Sequence, residues 1–214
     1  MLPSRCAACG GSGPLLCVSC RRLLERLDGP LCACCGAPTV WPVSRCRECS
    51  GRRIPFHSAR AAVAYAGPAR ALVRAWKERG LRRFASLAAE LVAEHVPAPA
   101  VDVVTWVPPD GDRSVRRGYQ PARGLADALA HAWNLDAAPL LARTRAVERQ
   151  AALAGPERRL NVRGAFCAAR RPPQAVLLVD DVYTTGATAA AAAAALRAGG
   201  AGRVEVVTFA RAVR

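Results

Sequence analysis

One stretch, Ala175–Thr188 (AVLLVDDVYTTGAT), limits this chain more than any other. Four apolar residues, Val176 to Val179, run straight into two carboxylates, Asp180 and Asp181. A small-residue turn follows, Thr184-Thr185-Gly186-Ala187-Thr188, and opens onto an alanine-rich run. A short apolar run bounded by a turn reads as a fully buried parallel strand. The turn and the helix start supply backbone N–H groups and hydroxyls that suit a phosphate. The acid pair stands about one phosphate-to-ribose length away, where vicinal hydroxyls donate to carboxylate oxygens. Each part alone has an ordinary explanation: a solvated acid loop, a metal site, a helix cap. The uninterrupted order of all three reads as a site for a ribose 5-phosphate.

A second feature sits at the other end. Nine of the ten cysteines fall in the first 49 residues. They form four Cys-x-x-Cys pairs: Cys6/Cys9, Cys17/Cys20, Cys32/Cys35 and Cys46/Cys49, with Cys34 and Cys167 left over. Two thiolates two residues apart bind one metal from a tight turn, and two such turns complete a tetrahedral zinc site. Eight ligands therefore suffice for two Zn²⁺ ions. Sequential use would group Cys6, Cys9, Cys17 and Cys20, then Cys32, Cys35, Cys46 and Cys49; a cross-braced arrangement would interleave them. A disulfide framework needs an oxidising compartment, and no export signal is read at MLPSRCAACGG. The apolar residues here, such as Leu23, Leu24 and Leu27, are too few for a core of their own. Metal binding is what folds such a module. His57, His95 and His131 lack ligand spacing.

Between these ends the periodicity alternates. Residues 50–58 read as a linker, dividing a cysteine module at 1–57 from a larger domain at 58–214. Ala61–Ala66 reads as a short strand. From Gly67-Pro68 a helical pattern turns Leu72, Val73 and Trp76 inward and ends at Gly80. A second helix is expected over Leu81–Val96, a strand over Val101–Val107 and a helix over about Pro121–Trp133. Ala165–Ala168 reads as a short strand, the seven alanines Ala189–Ala195 as a helix, and Arg203–Ala210 as a last strand. That order implies a parallel α/β sheet with flanking helices. The loop after Val107 carries Arg113, Arg116 and Arg117, and stands where parallel sheets bind ligands. Arginines there chelate phosphate oxygens, so Arg116 and Arg117 join the candidate site. The basic stretch from Arg143 to Phe166 reads as plain surface or as a lid over the site.

The net charge is +15, and Lys77 is the only lysine. Residues 1–57 carry +5 and the remainder +10. A basic surface favours polyanions, although arginine and alanine richness also follows from a GC-rich coding bias. No run of eighteen uncharged apolar residues occurs, so no membrane span is expected, and the default reading is a cytoplasmic protein.

The acid pair and Thr/Gly turn closely resemble the phosphoribosyl-pyrophosphate (PRPP) loop of type I phosphoribosyltransferases. The resemblance implies that Asp180 and Asp181 hold the ribose hydroxyls, and that Thr184, Thr185, Gly186, Ala187 and Thr188 hold the 5-phosphate, with Mg²⁺ accompanying PRPP. The chain as a whole resembles the ComF family of competence-associated phosphoribosyltransferase-like proteins. The shared residues are the cysteine pairs, Tyr65-x-Gly67, Leu72…Lys77-x-x-Gly80, Val107-Pro108, Arg117-Gly118-Tyr119, Arg143…Gln150…Arg158-x-x-Asn161…Phe166 and DDVYTTGAT. The family usually continues Arg-Gly-Phe-Asn-Gln, where this chain has Arg117-Gly118-Tyr119-Gln120-Pro121. What the resemblance implies is bound zinc, a PRPP pocket and a link to the uptake of transforming DNA. It leaves two readings: a transferase acting on PRPP, or an adaptor that binds single-stranded DNA or a competence helicase.

Overall fold

The computed structural model describes residues 5–109, 118–144 and 164–213. A short helix in the cysteine-rich segment, α1 (Val18–Arg22), comes first. Then follow β1 (Ser58–Ala64), α2 (Gly67–Arg79), α3 (Phe84–Ala93), β2 (Val103–Trp106) and α4 (Pro121–Trp133). The chain continues through β3 (Leu141–Arg143), β4 (Phe166–Ala168), β5 (Ala175–Tyr183), α5 (Ala187–Ala198) and β6 (Arg203–Arg211).

Four strands form one sheet in the order β1-β6-β5-β2, and all three pairings are parallel. The pleat divides β5 between two cores. Leu177 and Val179 face one side with Val104, Phe209 and the apolar faces of α2, α3 and α4. Val176 and Leu178 face the other with Val206, Leu196 and the alanines of α5. All four are fully buried, the pattern of a central parallel strand covered on both faces. Trp76, Phe84 and Phe209 fill the first core edge-to-face, with centroids 5.0 and 5.2 Å apart. Strands β3 and β4 form a separate antiparallel ribbon, with Leu141 opposite Ala168.

The cysteine-rich segment borrows both cores. Cys6, Leu16, Cys20 and Leu24 are buried with Trp76 and Phe84 on the first side. Cys32, Cys35 and Cys49 are buried with Val176 and Tyr183 on the second. Arg21 pairs with Glu90 of α3 and with Glu94, which caps its carboxyl end. The amide of Ala59 donates to the Cys34 carbonyl at 2.8 Å. Gly36, at φ +67°, lies so close that a Cβ there would stand 2.4 Å from the Ala59 oxygen.

Several boundaries differ from the sequence expectations. Strand β1 begins at Ser58, inside the expected linker, because Ser58–Ala61 pair with Glu205–Thr208 of β6. Helix α3 is shorter than Leu81–Val96. Gly80 ends α2 in the left-handed region, and the next three residues form a turn rather than helix. Residues 110–117 of the expected Arg-rich loop Pro108–Tyr119, with Arg113, Arg116 and Arg117, and most of the 143–166 stretch lie outside the described residues.

Candidate functional site

Strand β5 does not stop at Val179 as its apolar run does. The backbone pairing with β6 continues beyond it, with Asp180 opposite Thr208, Val182 opposite Ala210 and Tyr183 opposite Arg211. The acid pair is therefore part of the strand. The other neighbour, β2, ends at Trp106 opposite Val179. Asp180 and Asp181 thus project just past the carboxyl edge of β2, where parallel sheets open a crevice. Thr184, Thr185 and Gly186 make the turn, while Ala187 and Thr188 already belong to α5.

The turn is built by local chemistry. The Thr185 hydroxyl accepts from the Ala187 amide at 3.3 Å. Gly186 caps α5 at φ +72°. Its α-carbon lies against the Tyr183 ring, so that a Cβ would stand 2.1 Å from the Tyr183 hydroxyl. Glycine is thus required there both by conformation and by space. The first turn of α5 contains no acidic residue, and its leading N–H groups have no intrahelical partner. A helix start of this kind favours an anion by about 0.3–1 kcal/mol when exposed, and more when partly buried. The Asp180 carboxylate accepts from the Asp181 amide at 2.9 Å.

Sequence reasoning misses one site residue. Lys77, in the last turn of α2, reaches the Asp181 carboxylate at 2.6 Å. Both side chains are partly buried, at 27% and 14% exposure, so the pair is shielded better than a surface ion pair. A signal exists all the same: a single lysine among arginines marks a position where a compact cation on a slim stem differs from a guanidinium.

The cysteines assemble in chain order. The sulfurs of Cys6, Cys9, Cys17 and Cys20 lie within 4.8 Å of one another, as do those of Cys32, Cys35, Cys46 and Cys49. A tetrahedron of sulfurs around zinc has edges of about 3.8 Å; Cys9–Cys17 at 3.9 Å and Cys35–Cys46 at 3.6 Å match it. All ten cysteines are free thiols. Backbone amides point at the sulfurs, Cys17 N–H to Cys6 at 3.5 Å and Cys46 N–H to Cys32 at 3.2 Å. Burial opposes ionisation of Cys6, but the amides of Cys17, Cys9 and Ala8 outweigh it and bring this thiol down to about 6. Burial pushes Cys20 up to about 12. In the second group Cys32 comes down to about 7 for the same reasons as Cys6. Burial carries Cys35 up to about 11 against the pull of Arg211. Four thiols this close oppose one another's ionisation, and a cation among them would relieve that opposition. Both groups could hold Zn²⁺, which would cross-link each pair of turns.

Two cavities lie away from the acid pair. One of about 430 Å³ runs along α5 from Ala187 and is lined by Arg52, Arg53 and Phe166. Another, of about 510 Å³, is lined by Arg82, Tyr119, Arg123 and Asp127. Arg82 lies 5.8 Å over the Tyr119 ring, and Arg123 lies 5.4 Å over Trp106. No helix among the described residues is long and apolar enough to cross a membrane.

No protein-family model matches the sequence, and no curated protein does. Among solved structures, the chain is similar to the glutamine PRPP amidotransferase from B. subtilis complexed with ADP and GMP. The identity is 26% and the TM-score 0.38, over 59% of this chain and 25% of that one. The chain thus corresponds to a quarter of that enzyme's length. It is also similar to a protein of Thermus thermophilus, at 23% identity and a TM-score of 0.32, over 59% of this chain and 72% of the other.

Proposed function

We propose that the carboxyl end of β5 and the start of α5 bind the ribose 5-phosphate portion of PRPP, and that this binding is the chain's function. The observation that carries the reading is the unbroken run of acid pair, turn and uncapped helix start at one sheet edge. Asp180 and Asp181 accept from the ribose 2- and 3-hydroxyls. The amides of Gly186 and Thr188 and the hydroxyls of Thr184 and Thr188 meet the 5-phosphate, while the Ala187 amide stays on the Thr185 hydroxyl and holds the turn. Lys77 holds the Asp181 carboxylate and offsets its repulsion of the anionic ligand. Mg²⁺ would arrive with PRPP, carrying a hydration shell of the kind carboxylate oxygens accept from. Arg116 and Arg117 would meet the pyrophosphate by the same chemistry that suits arginine to phosphate elsewhere.

A transferase of this kind asks little covalent chemistry of its protein. It holds PRPP, stabilises positive charge developing at the ribosyl carbon, and neutralises the leaving pyrophosphate. Residues 1–57, with two zinc ions, form a module fused to a phosphoribosyltransferase-like domain at 58–214. The residues shared with the ComF family support a place in DNA uptake. Calorimetry of PRPP with Mg²⁺ tests the reading. Wild type should bind, and Asp180→Asn and Asp181→Asn should each bind about tenfold or more weakly, since a hydrogen bond to a charged group contributes about 1.5–3 kcal/mol. No heat from the wild type would refute it.

A second reading has its own observation. Arg82 and Arg123 line one cavity together with Tyr119, whose ring Arg82 covers, a combination of cations and an aromatic ring that suits single-stranded nucleic acid. Titration with single-stranded DNA over a salt series tests it. Arg82→Ala and Arg123→Ala should each lower the salt slope by about one. A flat salt response would exclude this surface.

A further inference from the structure

Arg211 ends β6 and is 2% exposed, yet it takes no part in the ribose-phosphate reading. A guanidinium this deep needs acceptors and counter-charge. Its acceptors are in the second cysteine group. One arm donates to the Cys35 carbonyl, and the other approaches the Cys35 sulfur at 3.7 Å. Glu48, next to the last ligand, supplies the carboxylate at 3.7 Å, while Nε has no hydrogen-bond partner among the described residues. The other side of the same guanidinium lies 4.8 Å over the Tyr183 ring. That ring is 6% exposed and is held edge-on by Phe56, with centroids 6.4 Å apart. Its far end fills the space beneath Gly186, the residue on which the turn and α5 pivot.

We propose that Arg211 and Tyr183 are positioning residues that tie the second cysteine group to the Thr184–Gly186 turn. A metal on Cys32, Cys35, Cys46 and Cys49 fixes the turn that carries the Cys35 carbonyl and sulfur. That turn fixes the guanidinium, the guanidinium fixes the ring, and the ring fixes the backbone of Gly186. Outer groups that orient metal ligands commonly act in this way; here the orientation runs outward to a ligand site. The first cysteine group shares a core with Val179 and Val182 of β5, but among the described residues no hydrogen bond or ion pair links it to the turn. Its residues pack on α3, through Arg21 with Glu90 and Glu94, and beside Phe84. The two groups are therefore not equivalent: one anchors the segment to α3, and the other conditions the turn. The consequence for ligand affinity rests on the ribose-phosphate reading; the consequence for the turn does not.

The test uses zinc-loaded full-length protein with Arg211→Met, Cys46→Ser and Cys17→Ser. Three quantities are read: zinc content, amide hydrogen exchange along the chain, and ribose 5-phosphate affinity. Arg211→Met keeps both zinc ions, because all eight ligands remain. Its Thr184–Ala187 amides exchange about tenfold faster, a coupling of the usual size, while those of Val176–Val179 keep their wild-type rate. Ribose 5-phosphate binds correspondingly more weakly. Cys46→Ser loses one zinc and speeds the same amides. Cys17→Ser loses one zinc and leaves them unchanged. Wild-type exchange at the turn in Arg211→Met overturns the proposal, as does equal acceleration by Cys17→Ser. Should Arg211→Met not fold, Arg211→Lys, which keeps the charge and loses the fork, is judged by the same criteria. If wild type binds no ribose 5-phosphate, the function proposed above fails, and the exchange comparison still decides the tie.

Discussion

Replacing Gly186 with alanine is the most quantitative perturbation that the site offers. Gly186 sits at φ +72°. Alanine in the left-handed region costs about 1–2 kcal/mol. Space adds to this, because the new Cβ would stand 2.1 Å from the Tyr183 hydroxyl, 2.5 Å from Cζ and 3.1 Å from Cε2. The ring cannot step aside, since Phe56 and Arg211 hold it and it is buried. Overpacking of this kind costs about 1–3 kcal/mol more. For a chain of this size each kcal/mol lowers the melting temperature by about 2–4 °C. Gly186→Ala should therefore melt roughly 4–20 °C below wild type. Gly80→Ala supplies the control: Gly80 has φ +63° but nothing within 4 Å of its Cβ position. It carries the conformational cost alone, so Gly186→Ala should exceed it by about 1–3 kcal/mol in chemical denaturation. Equal losses for the two variants would refute the close packing of Tyr183 beneath the turn.

Lys77→Met leaves the partly buried Asp181 carboxylate without its cation, and PRPP affinity measured by calorimetry should fall about tenfold, in line with losing one charged hydrogen bond. Lys77→Arg should not restore it, because a planar fork cannot replace a compact ammonium at 2.6 Å. Metal analysis of protein purified without chelator should find about two zinc ions per chain, and exhaustive chelation should expose protease sites within residues 5–57. Arg21→Ala removes a surface ion-pair cluster to Glu90 and Glu94; it should shift stability by no more than about 1 kcal/mol in denaturant titration.

Local signals carry a large part of the fold. Helix α4 is legible to the residue because Pro121 presets its first turn and Leu125 and Leu129 mark one face. Helix α2 is legible for the same reasons, with Pro68 at its start and Gly80 at its end. The cysteine groups are legible as ligand sets, but not in their pairing, which depends on how the turns pack. Strand β1 reads displaced, Ala61–Ala66 for Ser58–Ala64, because Ser58–Arg60 is weakly apolar and its start is set by β6, more than 140 residues away. The end of β5 is hidden for a related reason: charge at Asp180 and Asp181 ends the apolar run while the β6 ladder goes on. Lys77 stands out by its rarity, but its partner lies 104 residues on. Arg211 offers no signal at all. It looks like one more terminal arginine, and only the fold brings it to Cys35, 176 residues earlier.

The central claim concerns one ligand at one sheet edge, and a crystal structure of the protein with PRPP and Mg²⁺ tests it most directly. The account predicts the 5-phosphate within about 3 Å of the amides of Gly186 and Thr188, and the ribose hydroxyls on Asp180 and Asp181. Ligand density in either of the arginine-lined cavities, with none at the acid pair and the turn, would contradict it.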